Sequence, residues 1–146
     1  MQGVYYLLGL GVGIGLVVQV GMNSTLRAQL GSPIVAALIS FLVGSAALAL
    51  YALLMRSPLP VRSQVAAVPG WAWFGGLLGA FYVASSVVVG PRLGAATLLA
   101  LVVLGQLVTS LLVDHFGWLG FPHHPLTLVR VAGALLLFAG VVLITR

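Results

Sequence analysis

The 146-residue sequence lacks cysteine, lysine and glutamate altogether, and its only acidic side chain is Asp114. Without cysteine there is no disulfide framework, no thiolate metal site and no cysteine nucleophile. With a single carboxylate there is no acid pair for general acid–base chemistry. Charged residues make up 5% of the chain, whereas soluble domains carry roughly 25%. A soluble protein has to cover its surface with polar groups, so we expect this chain to be solvated by lipid.

Apolar residues make up most of the sequence. The AVILMFWYC set forms 62% of the sequence, 19 glycines come in addition, and the net charge is +5. Positive charge can indicate a nucleic-acid partner, but the basic residues here are single arginines without a stripe or cluster. They fall near the breaks between apolar runs, where positive charge meets phospholipid headgroups. This distribution argues against nucleic-acid binding. The arginines are Arg27, Arg56, Arg62, Arg92, Arg130 and Arg146.

Five apolar stretches are long enough to cross a bilayer, which needs about 20 predominantly apolar residues. We therefore predict an all-α integral membrane protein in which residues 1–146 form a single transmembrane domain. The first stretch is not predicted to be a cleavable signal peptide, because it has no basic start and passes straight into further spans. The five predicted spans are approximately residues 3–22, 33–55, 71–90, 95–113 and 126–145.

Proline and glycine mark the ends of the predicted spans. Ser32 and Pro33 are predicted to be the N-cap and the first residue of the second span. Residues 71–113 are too long for one span, so residues 90–94 are predicted to form a tight hairpin. The polar stretch of residues 56–69 is predicted to be a loop.

Glycines recur inside the predicted spans at intervals of four residues. Such pairs let helix backbones approach closely in lipid, where dispersion packing replaces the hydrophobic effect. One interpretation is packing within this helix bundle, and the other is that the glycine-rich first span slides or bends as the protein works. The pairs are Gly9/Gly13, Gly11/Gly15, Gly75/Gly79 and Gly90/Gly94, with Ser40/Gly44 as a small-residue equivalent.

Five spans place the termini on opposite sides of the membrane and divide the arginines evenly. Because the Lys/Arg bias sets orientation, a balanced chain has little reason to prefer one orientation, unless one arginine dominates. An odd-span chain inserted both ways can form an antiparallel dimer with inverted-repeat architecture. We therefore predict such a homodimer. Arg56, Arg62 and Arg130 fall on the side of the N-terminus, and Arg27, Arg92 and Arg146 fall on the other.

Several short motifs follow one another along the whole chain. They are Gln19, Asn23 and Leu26, then residues 33–36 (PIVA), 40–44 (SFLVG), 71–76 (WAWFGG), 105–106 (GQ), 114–117 (DHFG), and 130–133 (RVAG) leading to Gly140. Together they resemble the YdcZ-type branch of the drug/metabolite transporter superfamily. The resemblance implies a five-helix half-transporter of the bacterial inner membrane, paired antiparallel with itself or with a paralogue. The resemblance does not give a substrate. Together with the symmetry of the antiparallel dimer, which allows alternating access, it favours a secondary transporter of small metabolites or drug-like solutes.

Neutral polar side chains stand out in three of the predicted spans. Gln19 and Asn23 share a face of the first span, Tyr82 and Ser86 share a face of the third, and Gln106 lies in the fourth. In the ten-helix relatives the corresponding helices line the central cavity, so the resemblance implies that these five residues bind substrate. The alternative is interhelical hydrogen bonding, which contributes about 0.6 kcal/mol on average in one measured membrane protein.

Asp114 at the end of the fourth span and Arg130 at the start of the fifth are predicted to lie on the same side of the membrane. We predict a structural ion pair between them, contributing about 1 kcal/mol or less. His115, His123 and His124 fall in the same connection. Solvated side chains are favoured there over a metal site, because no ligand spacing repeats. We predict no enzymatic activity, no cofactor and no metal.

The lack of a carboxylate within the spans restricts the substrate. Related small multidrug resistance transporters use a mid-membrane glutamate to bind protons and cations, and this chain has no glutamate. A cation carrier in a low dielectric needs a compensating carboxylate. We therefore expect a small neutral or zwitterionic solute, or a weak organic anion if Arg27 or Arg92 faces the cavity mouth, although headgroup contact is favoured for both. The alternatives to a carrier are a passive channel and a subunit that requires a paralogous partner.

Overall fold

The computed structural model of the chain describes residues 2–146 and consists of helices and their connections, with no β-strand in that range. Four helical segments are long and apolar enough to cross a membrane. The last helix has 17 residues, the lower end of spanning length. The predicted all-α membrane class is confirmed. The helices are α1 (Gln2–Leu30), α2 (Pro33–Leu54), α3 (Arg62–Ala67), α4 (Gly75–Leu93), α5 (Ala95–Phe116) and α6 (Leu128–Ile144), with 3-10 turns at Gly70–Phe74 and Trp118–Gly120.

Two residues, Gly31 and Ser32, separate α1 from α2. Gly31 has a φ of 72°, a left-handed conformation that glycine adopts at low cost after a helix. Ser32 is the N-cap of α2, and its Oγ accepts a hydrogen bond from the backbone N of Val35 at 3.3 Å. Pro33 occupies the first helical position, where its missing N–H costs nothing within the helix. The second predicted span therefore begins at a defined cap.

α1 is longer than the first predicted span, because it continues to Leu30 instead of ending near residue 22. The predicted end followed the apolar stretch alone, whereas the helix itself continues through polar residues to Leu30. Thr25 accommodates this by donating its hydroxyl to the backbone O of Gly21 at 3.1 Å. The prediction that residues 56–69 form only a loop was also wrong, because they contain the six-residue helix α3.

The connection between α4 and α5 is shorter than the hairpin predicted over residues 90–94. α4 continues through Pro91 to Leu93, and α5 begins at Ala95. Gly94 alone separates them, with φ 82° and ψ 155°, a region that is essentially restricted to glycine. Pro91 is tolerated because it lies in the last turn of α4, where it removes one helical hydrogen bond and the helix ends shortly afterwards.

The chain forms two compact units, Met1–Pro91 and Arg92–Arg146. In the first unit α1 packs against α2, and a small core joins α2 to α4 through Ala37, Val83 and Val87. In the second unit α5 packs against α6 as a helical hairpin. The single transmembrane domain over the whole chain stays a prediction.

The glycines differ in what surrounds them. A Cβ at Gly79 would lie 3.3 Å from Cζ of Phe41, so this glycine permits close packing of α4 against α2. In α1, by contrast, a Cβ would meet no heavy atom of the described residues within 4 Å at several glycines, and residues 2–15 are exposed throughout. Packing within the described residues therefore does not account for the α1 pairs, which comprise Gly9, Gly11, Gly13 and Gly15.

Candidate functional site

One face of α1 carries Gln19, Asn23 and Arg27 at intervals of four residues, which a helix places one above the other. Asn23 is buried, with 3% of its surface exposed. Nη1 of Arg27 donates a hydrogen bond to the backbone O of Val87 in α4 at 3.0 Å. The sequence favoured headgroup contact for Arg27, whereas in the structure its guanidinium reaches a neighbouring helix.

Tyr82 and Ser86 lie one turn apart on α4 and differ in how their hydroxyls are satisfied. Ser86 is buried, and its Oγ donates to the backbone O of Val83 on its own helix at 2.9 Å. The hydroxyl of Tyr82 is buried and has no hydrogen-bond partner within residues 2–146. An unpaired buried polar group costs roughly 1–3 kcal/mol. Tyr82 is therefore better placed than Ser86 to gain from a solute that offers a hydrogen-bond partner.

Two of the grooves in the first unit differ in the polarity of their lining. The smaller, about 220 Å³, is lined by Gln19 of α1 and by Ser40 and Ser45 of α2, among apolar side chains. The larger, about 730 Å³, lies between α2 and α4 and is lined entirely by apolar residues, including Phe41 and Phe81. Of the two, the smaller groove is the one that contains a predicted substrate-binding residue, Gln19.

Gln106 lies on α5 and so belongs to the second unit, whereas the other four candidate residues lie in the first. Its side chain is exposed, as are those of Thr109 and Ser110 close by on the same helix. The contribution of Gln106 to a shared binding site stays a prediction.

Asp114 and Arg130 meet across the α5–α6 hairpin. Nη2 of Arg130 lies 2.8 Å from Oδ2 of Asp114, and its Nη1 donates to the backbone O of His124 at 3.1 Å. The backbone N of His124 donates in turn to the backbone O of Asp114 at 2.8 Å. Thr127 caps α6, with its Oγ1 accepting from the backbone N of Arg130 at 3.3 Å. These bonds tie the α5–α6 connection to both helices.

The histidines of this connection do not form a ligand cluster. Nδ1 of His115 accepts a hydrogen bond from the backbone N of Leu126 at 3.2 Å, so this nitrogen is engaged by the backbone of the connection. The rings of His115 and His123 are 6.2 Å apart between centroids. Within residues 2–146, no group of three or more His, Cys, Asp or Glu side chains is placed to hold a metal ion.

Long apolar helices with a few buried polar side chains define an all-α, multi-pass membrane protein. The family model described as "Putative inner membrane exporter, YdcZ" matches residues 4–143, and the chain belongs to this family. It is similar to the inner membrane protein YdcZ of Escherichia coli (strain K12), with 32% identity over 134 residues, which cover 92% of this chain and 89% of that protein. No solved structure shows a significant match. The chain is accordingly a protein of the bacterial inner membrane, and the family resemblance is confirmed.

Proposed function

We propose that this protein is a secondary transporter of small metabolites or drug-like solutes and not an enzyme. Its family carries the description "Putative inner membrane exporter, YdcZ", which supports a transport role. The structural observation that carries the proposal is Asn23, which is buried at 3% exposure within a long apolar helix. Polar side chains inside membrane spans are expensive and mark the paths of substrates and ions. Membrane lipid and a small solute are therefore its partners.

The transporter works as an antiparallel homodimer by alternating access. The balanced distribution of arginines over five spans supports insertion in both orientations. At several glycines of α1 a Cβ would meet no heavy atom of the described residues. These glycines support a contact between α1 and a helix of a second copy of the chain, because small residues at four-residue intervals let helices approach closely in lipid. In such a dimer, an exchange of conformation between the two protomers converts an outward-open state into an inward-open one.

A solute screen on the reconstituted protein tests the function. We expect saturable uptake, with trans-stimulated exchange, of a neutral, zwitterionic or weakly acidic solute, and no uptake of quaternary ammonium compounds. Flux that neither saturates nor shows exchange would instead assign a passive channel. A protein that stays monomeric and inactive until a paralogue is supplied would assign a partner subunit.

Five side chains are proposed to bind the solute: Gln19, Asn23, Tyr82, Ser86 and Gln106. Asn23→Leu should weaken solute binding by about tenfold, because a lost hydrogen bond to a polar solute costs roughly 1–3 kcal/mol. Gln106→Leu should act in the same direction. Both affinities are measured by saturation binding of the transported solute to the purified protein.

Thr25→Val provides the matched control on α1. Its hydroxyl is exposed and bonds to the backbone O of Gly21 on its own helix, so its removal should leave solute affinity unchanged. If Asn23→Leu bound the solute as tightly as Thr25→Val while both remained folded, Asn23 would have no part in the site.

Asp114→Asn is expected to lower the free energy of unfolding by about 1 kcal/mol or less, because the ion pair with Arg130 is partly exposed to solvent. Solute transport and its pH dependence should be unchanged, since the carboxylate holds the hairpin and relays no proton. Denaturation of the single variants and of the double variant with Arg130→Gln measures the coupling directly. Abolished transport in a fully folded Asp114→Asn protein would assign the carboxylate to the transport cycle instead.

A further inference from the structure

Arg27 takes the place of a backbone donor that α4 lacks. In an α-helix the carbonyl of Val87 accepts a hydrogen bond from the backbone N–H four residues later. That residue is Pro91, which has no N–H. Arg27 of α1 supplies the missing donor, because its Nη1 donates a hydrogen bond to the backbone O of Val87 at 3.0 Å. The carbonyl of Val87, which has no intrahelical donor because of Pro91, therefore holds the guanidinium of Arg27 against α4.

Within residues 2–146, Arg27 forms no ion pair. Residues 1–91 contain no acidic side chain, and the single acid of the whole chain, Asp114, is paired with Arg130 at 2.8 Å. Arg27 is nevertheless half-buried in a helix that is apolar enough to cross the membrane. A charge in this setting is costly unless it is paired. A bound anion would supply the counter-charge that the neighbouring residues lack.

We propose that Arg27 is a binding site for a small oxyanion, a carboxylate or a phosphate group. A guanidinium carries five N–H donors in a planar fork, and the bond to Val87 uses one of them. The geometry of the remaining donors suits the two oxygens of a carboxylate or phosphate. Asn23 is buried one turn earlier on the same face of α1, and we include its amide in the proposed site as a further hydrogen-bond donor. This inference rests on the proposed transport function and narrows its substrate class to anions and zwitterions.

Two sources can supply the same chemistry: a transported solute, or the phosphate of a lipid headgroup, since Arg27 lies in the last turn of α1. The experiment uses the full chain in phosphatidylcholine nanodiscs, with radiolabelled benzoate as the carboxylate probe. Neutral benzamide and inorganic phosphate serve as competitors. A second set of nanodiscs contains phosphatidylglycerol, and native mass spectrometry records how many lipids each protein retains.

We expect saturable binding of benzoate that phosphate displaces and benzamide does not. Arg27→Gln should weaken this binding by about tenfold or more, because it removes a charge-assisted hydrogen bond. Arg146→Gln is the matched control, since it removes an arginine from the same predicted side of the membrane and should bind benzoate as the wild type does. Equal benzoate affinity in the two variants would overturn the proposal. Retention of phosphatidylglycerol that is lost only in Arg27→Gln, without benzoate binding, would identify the oxyanion as a lipid phosphate.

Pro91→Ala separates binding from folding. It supplies the missing N–H to the carbonyl of Val87, so this carbonyl no longer depends on Arg27 for a hydrogen-bond donor. Pro91→Ala alone should still bind benzoate, whereas Pro91→Ala with Arg27→Gln should be folded and should not. If the double variant bound benzoate normally, Arg27 would have only the structural role.

Binding and transport fail in different ways. Uptake of solutes without any dependence of benzoate binding on Arg27 would refute the oxyanion site and leave the transporter intact. Arg27-dependent benzoate binding without uptake of any solute class would refute the transport function and leave the site intact.

Discussion

The variant Arg56→Ser/Arg62→Ser should lose nearly all transport activity, because it leaves one arginine on the predicted N-terminal side against three on the other. Such an imbalance sets a single orientation, and a chain inserted one way cannot form an antiparallel pair. Both side chains are exposed and neither forms an ion pair within residues 2–146, so folding should be unaffected. A cysteine at Ser63 is unique in the chain and reports orientation by labelling. We expect labelling from both faces in the wild-type background and from one face in the variant.

The opposite imbalance provides the control. Arg92→Ser/Arg146→Ser leaves one arginine on the other predicted side, keeps Arg27, and should also be inactive alone. Coexpression of the two double variants should restore transport, because each supplies the orientation that the other lacks. Activity of either double variant by itself, with labelling from one face, would refute the antiparallel dimer.

Gly94→Ala should lower the free energy of unfolding by about 1–3 kcal/mol, because φ 82° and ψ 155° lie where a Cβ is strained. The effect is large because Gly94 alone separates α4 from α5, so no neighbouring loop residue can absorb the change. Unfolding of the purified protein in mixed micelles measures it.

Gly105→Ala is the control within α5. Gly105 is helical and exposed, and a Cβ there meets no heavy atom of the described residues within 4 Å. Alanine favours helix over glycine by about 1 kcal/mol, so this variant should be neutral or slightly more stable. A similar loss of stability in both variants would show that the conformation of Gly94 is not the cause.

Composition and local pattern were enough to predict the features that depend on neighbours in sequence. The membrane class follows from the 5% of charged residues, since so few cannot cover a soluble fold. The cap at Ser32 is local, because the serine reaches only three residues along the chain. The pairing of Asp114 with Arg130 could be expected because a short connection brings the facing ends of consecutive helices together, as the 2.8 Å contact shows.

Other features depended on how the helices pack. The hydrogen bond from Arg27 to Val87 joins residues 60 positions apart, and nothing in either segment alone indicates it. In the sequence, Pro91 indicated the end of a helix, because proline has no backbone N–H to donate. In the structure α4 continues past Pro91 to Leu93, and the side chain of Arg27 from α1 donates the hydrogen bond that Pro91 cannot. Tyr82 and Ser86 lie four residues apart on one face of α4, yet the hydroxyl of Tyr82 has no hydrogen-bond partner within residues 2–146, whereas that of Ser86 is bonded to its own helix. The sequence therefore determined the membrane class, the long apolar helices and the cap at Ser32, which arise from composition and short-range chemistry. The tertiary structure decided which polar groups face one another, because that depends on contacts between residues far apart along the chain.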